Sequence, residues 1–140
     1  GRIFLRALPL CIISPSSLLL SRSVFDEIGP FDESLPACED YDLFLRLTCR
    51  HEVHFLDEKL VVKYGGHSDQ LSRAHYAMDR FRVAALERTL IKCSGYLSQE
   101  ERAATVDTLV QKARIVYDGA IRHDNGELAR QMLKYVERWD

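Results

Sequence analysis

The second half of the chain is punctuated for helices and for little else. Residues 73–93, 98–122 and 126–139 each read as a helix. Ser98 with Glu101 fits a capping box at the start of the middle segment. His123-Asp124-Asn125-Gly126 reads as a turn between the last two. Leu128, Met132, Leu133 and Val136 make the inner stripe expected of the final helix. Consecutive helices with a short connection pack as a hairpin or small bundle. One such unit is too little to define a helical-repeat array, because solenoids need several.

The 140 residues suffice for one domain with a real core, or for a small domain with an extension. Apolar residues make up 46% and charged residues 29%, so a folded chain rather than a disordered one is expected. The formal net charge is -2 and no Lys/Arg cluster occurs, which argues against nucleic acid as the main partner. It leaves a nucleotide open, since a metal and a few donors can hold one diphosphate. Cys11, Cys38, Cys49 and Cys93 form no Cys-x-x-Cys pair and no zinc-ligand spacing with a histidine. They are expected as reduced, mostly buried thiols of a cytosolic protein. The chain opens on Gly1 inside an apolar stretch and so reads as a piece of a longer protein. Pro9 and Ser14-Pro15-Ser16-Ser17 interrupt the run from Ala7, which makes a signal peptide or a membrane span a poor fit and a buried strand the better one.

The first half has a different texture. Leu10-Cys11-Ile12-Ile13 and Leu18-Leu19-Leu20 flank the Ser-Pro turn and read as buried strand segments. A brief helix begins at Ser21 or Ser23, runs through Ile28 and is stopped by Gly29-Pro30. Phe31 to Pro36 reads as an ordered loop. A second helix starts near Glu39-Asp40 and runs to about Arg50, with Tyr41, Phe44, Leu45 and Thr48 on one side, widened by Leu43 and Leu47. Asp42 and Arg46, four apart, are placed to pair on its surface. Two strands follow, Glu52–Leu56 and Lys59–Tyr64, and Gly65-Gly66 breaks the second.

The order strand, short helix, Ile28-Gly29-Pro30-Phe31-Asp32-Glu33, Cys38-Glu39-Asp40-Tyr41-Asp42 and then a helix with Arg46 resembles the second half of family 2 glycosyltransferases. In that family a Gly-x-Phe-Asp-Glu loop precedes a Glu-Asp pair at a helix start. The resemblance covers residues 10–72 and implies an α/β fragment (α+β within these residues): the second half of a GT-A, Rossmann-like domain. On that reading residues 1–72 are the acceptor-side half of the catalytic domain and residues 73–140 a helical extension, hairpin or bundle. The implied activity is inverting transfer of a sugar from a nucleotide-sugar donor to a hydroxyl, in polysaccharide or glycan synthesis.

The resemblance assigns Asp40 as catalytic base. The chemistry suits the position: a sugar hydroxyl must lose its proton as it attacks the anomeric carbon. A carboxylate at a helix N-terminus is held ionised and fixed in direction. Without the resemblance, Asp and Glu in a first turn are ordinary capping residues. Glu39 is expected to bind acceptor hydroxyls or orient the loop, Asp32 and Glu33 to shape the loop or touch the donor sugar, and Arg46 to belong to the same site. His67, in Tyr64-Gly65-Gly66-His67-Ser68, is the candidate for a metal or the diphosphate, with the glycines allowing close backbone approach. His51 and His54 are expected to be structural.

The family's Asp-x-Asp motif, which holds Mn²⁺ or Mg²⁺, is missing. Asp40-Tyr41-Asp42 has the letters but lies within a helix, where residues two apart diverge. The divalent cation is therefore expected in the full-length protein and not in this fragment, which should be inactive alone. Expected partners are a nucleotide sugar and a glycan or lipid-linked acceptor, with self-association of the fragment through an uncovered sheet edge. The expected setting is cytoplasmic, at most peripheral at the inner face of the membrane. Arg73, Arg80, Arg82 and Arg88 read as a solvated face. A second reading is an inactive saccharide-binding or helical protein-interaction module.

Overall fold

The computed structural model describes residues 1–62, 64 and 76–140. Among these residues the α-helices are, in order, α1 Phe4–Ala7, α2 Arg22–Ile28, α3 Glu39–Thr48, α4 Asp79–Lys92, α5 Gln99–Arg122 and α6 Gly126–Trp139. Two 3₁₀ turns, Pro15–Ser17 and Ser94–Tyr96, lie between them. Among the described residues there is no strand and no sheet, so the expected α/β, GT-A architecture is overturned in favour of an all-helical one.

The reason is pairing. An extended segment becomes a strand only when a neighbour accepts its backbone N–H and C=O groups. Gly1 and Val53 do exchange both backbone bonds, at 2.6 and 2.9 Å, as in one rung of an antiparallel ladder. No second rung follows among the described residues. The segments expected as strands at Leu10–Ile13, Leu18–Leu20, Glu52–Leu56 and Lys59–Val62 remain irregular. Leu19, Phe55, Leu60 and Val62 are exposed rather than buried. The run from Ala7, expected as a buried strand, is irregular beyond Ala7, where α1 ends with Phe4 and Ala7 in the core.

Helix boundaries follow their capping chemistry. The Ser21 hydroxyl accepts from the Val24 N–H at the start of α2, and Gly29 ends it at φ 80°, a left-handed value that glycine tolerates without a Cβ penalty. Ser98 and Glu101 form the full capping box of α5. The Asn125 side chain accepts from the Leu128 N–H to open α6, with Asp124 at φ 55° completing the turn.

α5 and α6 pack as a hairpin, α4 lies on α5, and α3 lies on α4. One core runs through them, from Phe4 and Leu8 through Tyr41 and Leu45 to Leu86, Leu109 and Met132. A smaller cluster holds Ile28 of α2 against Leu43, Phe44 and Leu47 of α3. α3 is thus covered on both sides, each fully buried Leu or Phe contributing roughly 1.5–3 kcal/mol. In α6 the inner stripe is Leu128, Ala129 and Met132, while Leu133, expected there, is 39% exposed.

The arginines of α4 are not a solvated face. Arg82 pairs with Asp79 at 2.8 Å, Arg88 with Asp32 and Asp42, and Arg80 lies over the rings of Tyr76 and Phe81. Asp79 also takes Lys112 at 3.0 Å, joining α4 to α5. All four cysteines are free thiols, with Cys38, Cys49 and Cys93 buried and Cys11 half-buried. The Cys49 thiol donates to the Arg46 carbonyl at 3.3 Å, its Cys93 neighbour and burial push it up, and Cys49 and Arg50 draw Cys93 down.

Glu101 does double duty. It closes the capping box and takes a two-pronged ion pair from Arg2, at 2.6 and 2.7 Å, while itself 5% exposed. Ser98→Ala should cost about 1 kcal/mol in urea unfolding. Glu101→Ala should cost about 1.5–2 kcal/mol, because it removes the cap and the ion pair to the half-exposed Arg2, whose Nη2 keeps the Cys49 and Tyr96 carbonyls. Equal costs for the two variants would mean that the Arg2 contact contributes nothing.

Candidate active site at the N-terminus of helix α3

Cys38, the residue before α3, sits at φ 64° and ψ 22°, a left-handed conformation unusual for a side chain with a Cβ. Such strain costs of order 1–2 kcal/mol and persists where packing over-determines it. Here Cys38 is buried in the main core. The turn sets Glu39 and Asp40 on the first turn of α3, both half-buried.

Asp40 Oδ1 accepts the N–H of Tyr41 at 2.7 Å, and Oδ2 accepts the Cys11 thiol at 3.5 Å. Burial, followed by the neighbouring Asp40 charge, pushes the Cys11 thiol up to about 12, so it stays protonated and remains a donor. No cation pairs with Asp40 among the described residues. Its carboxylate is oriented by two weak donors and keeps lone pairs free for a proton.

Asp42 differs on every count. It is fully buried, and Oδ2 accepts Arg46 Nε at 3.0 Å and Nη2 at 2.9 Å. The pairing expected at i, i+4 is present, but inside the protein rather than on its surface. Arg46 then spends its remaining donors on three successive carbonyls: Ile28, Gly29 at 3.3 Å and Pro30 at 2.9 Å. The guanidinium thereby ties the end of α2 and the start of the Gly29–Glu33 loop to α3. Its donors face protein groups.

Asp32 shapes the loop locally. Oδ1 accepts the Ser34 hydroxyl at 2.7 Å and the Ser34 N–H at 2.9 Å, and Oδ2 pairs with Arg88 of α4. The Ser34 bonds, then Arg88, lower the Asp32 carboxyl to about 2. Glu33 is exposed. His67 lies outside the described residues, as do Gly65 and Gly66. His51 lies 3.2 Å from Glu27 and His54 is exposed. Cys11 and Arg88 are contacts that sequence reasoning missed. Cys11 lies in an apolar run, and Arg88 is separated from Asp42 by 46 residues, so no spacing rule connects them.

Among the described residues no group of three or more His, Cys, Asp or Glu side chains is gathered to hold a metal ion. Nor is any helix long and apolar enough to cross a membrane.

The acidic helix N-terminus and the clamped Gly-Pro-Phe-Asp-Glu loop both lie within a segment that matches a known family. Residues 9–87, more than half of the chain, match the glycosyltransferase like family 2, and the chain belongs to that family. It is similar to an uncharacterised glycosyltransferase of Rickettsia felis, 40% identical over 62 residues, which cover 44% of this chain and 10% of that protein. A second, from Rickettsia conorii, is 39% identical over 62 residues with the same coverage. The matched segment spans about a tenth of the length of these curated relatives. No solved structure matches the chain.

The depressed Asp32 carboxyl makes a pH prediction. Its folded pKa of about 2 lies below the ordinary aspartate value of about 3.9. The contribution to stability is complete above that ordinary value and is lost as pH falls through about 2. Asp32→Asn should flatten part of the acid limb of a stability curve between about pH 4 and 2. Superimposable limbs for wild type and variant would contradict the Ser34 and Arg88 contacts.

Proposed function

We propose that this chain is the acceptor-side, carboxy-terminal part of an inverting nucleotide-sugar glycosyltransferase, with Asp40 as the general base. The observation that carries the reading is the contrast among the aspartates. Asp32 and Asp42 are neutralised by arginines, whereas Asp40 has no cation partner among the described residues and is only half-buried. A base must hold a free lone pair towards an incoming hydroxyl, and an aspartate already locked to a guanidinium does this poorly.

In the proposed reaction the acceptor hydroxyl gives its proton to an Asp40 oxygen as its own oxygen bonds to the anomeric carbon. The bond from that carbon to the nucleoside diphosphate breaks on the opposite side, and the configuration inverts. Glu39, beside Asp40 and without an ion pair among the described residues, holds acceptor hydroxyls. Asp32 and Arg46 act at a remove, by fixing the loop, and Glu33 faces solvent towards the donor side. Residues 73–140 serve as a helical extension that buttresses α3.

The setting proposed is glycan or polysaccharide synthesis on a glycan or lipid-linked acceptor, in the cytoplasm or peripherally at the inner face of the membrane. The exposed run at Phe55, Leu56 and Leu60–Val62 is the surface proposed for self-association. Any Mn²⁺ or Mg²⁺ serving the reaction is assigned to residues beyond those described, and no step above passes through it.

The test uses the full-length parent and its release of nucleoside diphosphate from a panel of nucleotide sugars. Asp40→Asn should lower turnover about a hundredfold or more, with urea stability nearly unchanged because no ion pair is lost. Wild-type turnover in the variant would make Asp40 a helix cap only. A parent that binds donors and never turns them over would favour an inactive saccharide-binding module.

A further inference from the structure

The opposite side of α3 carries a second feature. Asp42 and Arg46 lie on one stripe of α3, roughly 120–160° around the helix from Asp40, and Arg50 follows just past its end. Between that stripe, the loop after α2 and the last turns of α4 lies a depression of about 340 Å³. Such a volume falls at the small end of ligand sites. Four cationic side chains line it, Arg46, Arg50, Arg88 and Lys92, against one lining carboxylate, Asp32.

Accounting for neighbouring charges leaves a surplus. Asp42, buried behind, meets Arg46 and Arg88, and Asp32 meets Arg88. Glu27 stands 3.7 Å from Arg50, whose guanidinium also stacks on the Tyr96 ring at 4.4 Å. Lys92 is exposed and has no carboxylate partner among the described residues. It follows Arg88 by one helical turn, so both present their cations to one side of α4. A helix macrodipole accounts for a single cation in a last turn. It does not account for Arg50, past the end of α3, and Lys92, in the last turn of α4, meeting at one hollow beside the paired Arg46 and Arg88.

We propose that this depression binds a phosphate-class dianion, held by Lys92, Arg88 and Arg50. A compact doubly charged group matches the chemistry: guanidinium forks pair two oxygens and the ammonium meets a third as a point charge. The ligand bridges α3 and α4 at the end away from Asp40. The same group could come from a soluble diphosphate or from a lipid headgroup, and the experiment separates the two.

Thermal unfolding of the 140-residue chain is compared in sodium pyrophosphate and in sodium chloride of equal ionic strength. Wild type, Lys92→Glu and Lys134→Glu are measured; Lys134 is an exposed lysine of α6 outside the depression. Exclusion of phosphate salts from protein surfaces stabilises all three alike, and the two variants carry the same charge change. Site binding should raise the wild-type and Lys134→Glu Tm by at least about 3 °C more than that of Lys92→Glu. In a second arm the three proteins are sedimented with phosphatidic acid vesicles and with phosphatidylcholine vesicles. A Lys92-dependent Tm response without Lys92-dependent vesicle binding assigns a soluble source, whereas Lys92-dependent binding to phosphatidic acid vesicles, displaced by pyrophosphate, assigns a lipid source. Equal behaviour of all three proteins in both arms would overturn the site.

Discussion

Arg46 is the point on which the first half of the chain turns. One guanidinium binds the buried Asp42 carboxylate and three successive carbonyls, at Ile28, Gly29 and Pro30. Those carbonyls mark the end of α2, where the helix leaves acceptors without intrahelical donors. A charge that would be costly to bury alone is compensated by an aspartate and by main-chain groups that need a donor. Asp42 is in turn reached by Arg88 from α4, so the loop, α3 and the helical half share one polar network.

That network explains how a short loop without a strand beside it keeps a fixed course. Asp32 adds a local turn through Ser34 and a long-range tether through Arg88. The strained Cys38 then starts α3 in the one direction that places Asp40 next to Cys11. The helical half supplies the support. Asp79 holds Arg82 and Lys112 together, and Glu101 anchors Arg2 from the other end of the chain. The family match, residues 9–87, runs from before α2 to well within α4. Packing agrees with that extent, since α4 covers α3.

Local chemistry was legible in the sequence. Ser98 with Glu101, Gly29 at the end of α2 and the turn before Gly126 were readable because each depends on residues three or four apart. The Asp42–Arg46 spacing was readable for the same reason. Its burial was not, because that depends on Arg88 and on carbonyls 16–18 residues upstream. The strands failed on a related point. Leu10–Ile13 and Lys59–Val62 are apolar enough for a sheet, but apolar runs do not reveal whether a partner with free backbone groups lies alongside. Arg80, Arg82 and Arg88 looked like a solvated face because helical spacing shows which side a residue occupies and not what meets it there.

The central claim is that Asp42 and Arg46 act as one unit holding the loop to α3, and a double-mutant cycle in urea tests it most directly. Asp42→Leu and Arg46→Met, each alone, should cost about 3 kcal/mol by removing the main partner of a buried charge. The double variant should cost less than their sum by at least about 2 kcal/mol, since neither charge is then stranded. Additivity within about 0.5 kcal/mol would show two independent residues and contradict the account.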